Sequence, residues 1–133
     1  MQEVAPKGKT PFDTPDAVST DHELIWFTAL AQWMVPYNNK PSPHLVINNI
    51  WFPTKEEALA GIAPGFGATI AVRNIERECG LQSKKAEQRV GAFVAVLNSF
   101  GVDASLFKDQ LDCQFVKNGP YPANMWRTRY FAA

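Results

Sequence analysis

Apolar positions recur at helical spacing over three long stretches of this chain. Between Thr20 and Val35, Leu24, Phe27, Ala31 and Met34 form one stripe, Trp26, Leu30 and Trp33 widen it, and Ile25 extends it again. Only a narrow strip through Asp21, Thr28 and Gln32 is polar. The pattern predicts a helix opened by a Thr20–Glu23 capping box, with Asp21 at its positive end. Pro36 stops it ahead of a Tyr37-Asn38-Asn39 turn. A helix this apolar belongs either in the centre of a core or against another molecule. In the second stretch Val72, Ile75 and Cys79 share a face with Ala68 and Ala71 nearby, while Arg73, Glu76 and Arg77 point elsewhere. In the third, Ser83 is the expected N-cap, and Ala86, Val90, Phe93, Val94 and Leu97 form a buried stripe ending at Phe100. Gly101 supplies the stop. Gly91 costs about 1 kcal/mol relative to Ala inside a helix and reads as a place for close approach of another backbone.

The intervening pattern is weaker. Pro6, Pro11 and Pro15 break any periodicity in residues 1–19, which read as a flexible arm ahead of one globular domain, 20–133. After a loop from Lys40 to Pro43, the run His44 to Phe52 is strand-like by its β-branched content, or else an extended segment packed on a helix. Thr54 and Glu57 form a second capping box for a short helix to about Ala60, and Gly61 to Gly67 must bend. Asp103 to Gln110 reads as a turn of helix capped by Asp103 or Ser105. Leu111 to Lys117 alternates, with Leu111, Cys113 and Phe115 on one side. Met125 to Phe131 alternates again, so the two runs are expected to pair as a hairpin.

Composition adds bounds. A chain of 133 residues, 46% hydrophobic and 20% charged, suits one globular domain with a real core. Thirteen basic and thirteen acidic residues cancel, yet residues 1–60 hold four basic and seven acidic groups and residues 61–133 nine and six. An acidic partner would prefer the C-terminal half. Cys79 and Cys113 make a disulfide feasible, but a buried, reduced Cys79 is the commoner situation on an apolar helix face. Met1 to Thr20 has no apolar run of the secretory kind, and Leu24 to Val35 is too short to span a bilayer, which takes roughly 20 residues. A cytoplasmic protein with no membrane role is the expectation.

A helix, the turn Cys79-Gly80-Leu81-Gln82-Ser83 and a basic helix start, followed by a hairpin, resembles a winged helix-turn-helix domain over about residues 68–131. Gly80-Leu81 fits that family's turn, and Leu97-Asn98-Ser99-Phe100-Gly101-Val102 fits the end of its recognition helix. Glu76, Ala86 and Arg89 depart from its pattern. The resemblance implies a mainly α fold of four to five helices with a helix-turn-helix and a small C-terminal β-hairpin. It implies a nucleic-acid-binding protein that works by contact and recruitment on double-stranded DNA. Lys84 and Lys85 would meet phosphate, Gln88 and Arg89 would read base edges, and Lys117, with Arg127 and Arg129, would contact the minor groove or flanking backbone. Glu87 among them would repel phosphate.

Little else suggests chemistry. His22 and His44 have no ligand partners at metal spacing, and no phosphate loop or nucleophile–base pair can be named. The sequence therefore reads as a non-enzyme with no cofactor, no metal and no catalytic residues. Its many aromatics offer a second reading, a protein-binding module (adaptor, inhibitor or homo-oligomer) docking on another protein or on itself through Trp26, Trp33 and Tyr121.

Overall fold

The computed structural model of the chain describes residues 15–80 and 83–116. They form six α-helices and a 3-10 helix, and no β-strand occurs among the described residues. The chain divides between Val35 and Pro36 into two compact units.

The first unit holds α1 (Ala17–Thr20) and α2 (His22–Met34). A helical turn therefore lies inside the segment read as an arm. The expected cap of α2 moves by one residue. Thr20 is the last residue of α1, and its hydroxyl bonds back to the Asp16 carbonyl at 3.3 Å. Asp21 takes the extended backbone a cap needs, and its Oδ1 accepts from the amides of Glu23 at 3.1 Å and Leu24 at 3.2 Å. Val35 is extended, as the residue before a proline must be, and α2 stops there.

The second unit starts with a tight turn in which Asn38 and Asn39 both have positive φ between bridged Tyr37 and Lys40. That is the primed-turn geometry asparagine tolerates. Next comes α3 (Pro43–Ile47), where a strand or extended segment was expected. The start signal outweighs the β-branched side chains here. Ser42 caps the amide of Leu45 at 3.2 Å, and Pro43 sits in the first turn, where its missing N–H costs nothing. Asn49, with φ of 56°, ends the turn and delivers Trp51 to the core. The second capping box is present in α4 (Lys55–Leu59): Thr54 Oγ1 accepts from the Glu57 amide, and Glu57 Oε2 accepts from the Thr54 amide at 2.6 Å.

The core forms around α5 (Phe66–Glu78). Gly67, Ala68, Thr69, Ile70, Ala71, Val72, Ile75 and Glu78 are all buried, so this helix is covered on most of its circumference. Val46, Trp51, Ile62, Cys79, Ala86, Cys113 and Val116 complete the cluster around it. Ser83 caps α6 (Lys84–Ser99), as expected, by accepting from the Ala86 amide. The helix ends in a Schellman motif, with Val102 N–H bonded to Leu97 O and Gly101 N–H to Asn98 O. The stripe on α6 is only half-buried at Val90, Phe93, Val94 and Leu97, and Phe100, expected at its end, is 80% exposed. Phe93 stacks on Phe66 at 4.1 Å between ring centroids, joining α6 to the start of α5. No backbone approaches Gly91, where a Cβ would meet nothing within 4 Å.

A 3-10 helix (Ala104–Gln110), capped by Asp103, leads into residues 111–116. These form a turning strap, not the half-buried strand of the alternation. Cys113 and Val116 are the buried pair, Val116 N–H bonds to Cys113 O, and Phe115 is 77% exposed. The strap lies with its backbone directly on two glycines. A Cβ on Gly67 would overlap the Asp112 carbonyl, and one on Gly61 would overlap that of Phe115. Main-chain packing, which side-chain alternation does not encode, sets its path. The expected partner strand, Met125 to Phe131, lies outside the described residues.

Candidate functional site

The polar feature that needs explaining is Glu78. It ends α5 with a side chain only 4% exposed, and a buried carboxylate must be paired. Arg89, the sixth residue of α6, supplies the partner. Its Nε lies 2.7 Å from Oε2 and its Nη2 3.2 Å from Oε1, a two-pronged ion pair. Asn74, one turn before Glu78, donates a third hydrogen bond from its side chain. Its backbone (φ −158°, ψ 61°) leaves the helical region and bends α5 there. Arg73 adds a second positive charge.

These neighbours fix the charge state. The hydrogen bonds from Arg89, then its attraction, the Asn74 bond and the Arg73 field, hold the Glu78 carboxyl below its ordinary value against the opposing effect of burial. Arg89 is raised in turn, first by its bond to Glu78. The Arg73 guanidinium is lowered, first by lost hydration and then by repulsion from Arg89. Glu78 is thus held in its ionised form at neutral pH, paired with Arg89. Two cations surround one anion, and Arg89, with its side chain 36% exposed, spends two of its five N–H donors on Glu78. The cluster can hold an oxygen-rich ligand, or an incoming carboxylate, in a fixed orientation.

Among the described residues no group of three or more His, Cys, Asp or Glu could hold a metal ion.

Four of the residues expected to touch DNA, Lys84, Lys85, Gln88 and Arg89, are described. Lys84, Lys85 and Gln88 are exposed near the start of α6, but Arg89 turns toward Glu78 and spends its Nε and Nη2 donors there. Lys117, Arg127 and Arg129 lie outside the described residues, as does Tyr121. Trp26 is 70% exposed and Trp33 half-buried. Sequence reasoning missed Arg73, Asn74 and Glu78. A signal was there: Glu78 follows Ile75 by three positions and so shares its buried face, and Arg89 occupies a place where the supposed recognition helix wanted an apolar residue.

The cysteines also differ from expectation. Cys79 and Cys113 are joined in a disulfide across 34 residues, with Cα atoms 4.9 Å apart. Cys79 is therefore not the reduced thiol that its place on an apolar helix face suggested.

A helical core closed by a disulfide, with a buried carboxylate–arginine pair at the end of its central helix, is not the architecture of a winged helix. Residues 5–113 match the model of the class I chitinases, and the chain belongs to that family, glycoside hydrolase family 19. It is 36% identical over 102 residues to endochitinase A2 of Pisum sativum, covering 76% of this chain and 31% of the pea protein. It is 38% identical over 100 residues to chitinase 2 of Oryza sativa subsp. japonica, covering 74% and 28%. It is also 36% identical over 102 residues to inactive chitinase-like protein 2 of Hevea brasiliensis, covering 76% and 29%. The chain spans about a third of the length of these curated relatives. Membership of this family overturns the winged-helix resemblance, the DNA partner and the non-enzyme reading together.

Proposed function

We propose that this chain acts on chitin-type polymers of N-acetylglucosamine as part of a glycoside hydrolase, with the Asn74–Glu78–Arg89 cluster as a ligand-holding element. The family match over residues 5–113 carries this reading. Glycoside hydrolysis uses one carboxylic acid to protonate the leaving oxygen and a second carboxylate to act on the opposite face of the sugar. Glu78 is unsuited to the acid role, because Arg89 keeps it ionised. Its fitting role is to hold Arg89, whose remaining donors suit sugar hydroxyls, an acetamido carbonyl or a catalytic carboxylate. The Cys79–Cys113 disulfide supports work in an oxidising compartment in place of the cytoplasm expected from the sequence.

The Hevea relative, described as inactive, favours a second reading in which the chain binds chitin without cutting it. One experiment separates the two. The purified chain is mixed with chitohexaose, binding is followed by calorimetry, and products are followed by mass spectrometry. Shortened oligomers support hydrolysis, binding without products supports the second reading, and neither binding nor products overturns both.

A further inference from the structure

We propose that the Cys79–Cys113 disulfide is a positioning element for the Glu78–Arg89 pair, so that breaking it releases Arg89. Glu78 stands at a helix end, where backbone order normally decays. Three features oppose that decay. Cys79, the next residue, is 1% exposed and bonded to Cys113, itself 5% exposed. The Cys113 sulfur lies 3.8 Å from the Glu78 carbonyl oxygen. The Gly80 amide donates to the Cys113 carbonyl at 3.1 Å. The residue carrying the carboxylate is thus tied to the strap, and the strap is seated on Gly61 and Gly67. Arg89 reaches Glu78 from a different helix, so any movement of the α5 terminus opens both prongs at once.

The proposal rests on reading this pair as part of the site, but its test needs no sugar. Coupling is reciprocal: whatever the disulfide does for the pair, the pair does for the disulfide. Reduction by glutathione turns two glutathione thiols and the protein disulfide into two cysteine thiols and one glutathione disulfide. Its equilibrium is measured for the parent chain, for Arg89→Gln and for Thr54→Ala, a remote cap loss. The expected result is a disulfide roughly tenfold easier to reduce in Arg89→Gln, with a much smaller change in Thr54→Ala. Equal shifts in both variants would make the disulfide a general brace and overturn the proposal, as would no shift in Arg89→Gln. A second readout follows the Glu78 carboxyl by carbon NMR in the double variant Cys79→Ala, Cys113→Val. Titration moving up toward the ordinary glutamate range supports positioning, and an unchanged titration in a folded variant overturns it. Failure of chitohexaose to bind leaves both readouts intact, so the two readings fail separately.

Discussion

Helices α2 and α5 are each thirteen residues long, and the more apolar one is the more exposed. In α2 only Leu24 is buried, while Trp26, Leu30 and Met34, spaced four apart, are 70%, 57% and 48% exposed. In α5, which carries Arg73, Asn74, Glu76, Arg77 and Glu78, eight residues are buried. The difference lies in side-chain size more than in hydropathy. Gly67 lets the strap pack backbone on backbone against α5, with the small, buried Ala68 and Ala71 beside it, whereas Trp26, Leu30 and Met34 make one side of α2 bulky. A helix is drawn into a core by what can approach it as well as by what it repels.

Substitutions can break or sharpen this contrast. The largest effect is expected from Ile70→Ala, which empties a site only 1% exposed. Loss of about 2–5 kcal/mol in urea unfolding is expected, and a loss below 1 kcal/mol would mean α5 is not the centre of the core. Gly67→Ala comes next, because its new methyl has to displace the Asp112 carbonyl. About 1–3 kcal/mol is expected by the same measurement, whereas a neutral result would unseat the strap.

The site at the end of α5 predicts an acid response. The Glu78 carboxyl is held below its ordinary value of 4.5, so it contributes stability that is fully present above that value. The contribution is lost as pH falls from there through the lower folded value. Thermal melts from neutral pH to pH 2 should show this fall in the parent chain and a shallower one in Glu78→Gln. Identical profiles would mean the ion pair does not form in solution. Thr54→Ala should cost about 1 kcal/mol through loss of the α4 cap. At the small end stands Trp26→Ala, expected within about 0.5 kcal/mol of the parent because its ring is exposed. A loss of 2 kcal/mol or more there would show that α2 is covered in solution and remove the contrast.

The same two helices show how far the sequence could be read. Helix ends that depend on neighbouring residues were legible: Ser83 before α6, the Thr54–Glu57 box of α4, Gly101 after α6 and the asparagine turn before α3. Ser42-Pro43 is the same kind of signal, and the β-branched residues after it drew attention away. The 111–116 strap was illegible because its path follows contacts with glycines more than forty residues away in sequence. The pairing of Cys79 with Cys113, 34 residues apart, was likewise hidden by distance along the chain. Arg89 was singled out for the wrong partner. Its charge suggested an acidic ligand outside the chain, and the ligand is Glu78, eleven positions back on the other side of a turn. The bulky face of α2 fitted a place in the core ahead of contact with another molecule, yet only Leu24 is buried there.

The disulfide also changes the topology of the chain. With Cys79 and Cys113 joined, residues 80–112, and therefore all of α6, lie inside a closed covalent ring. A protease that cuts one bond in α6 or in the 3-10 helix opens the ring without producing two molecules. The nicked chain should migrate as a single species on a denaturing gel until a reductant separates its halves.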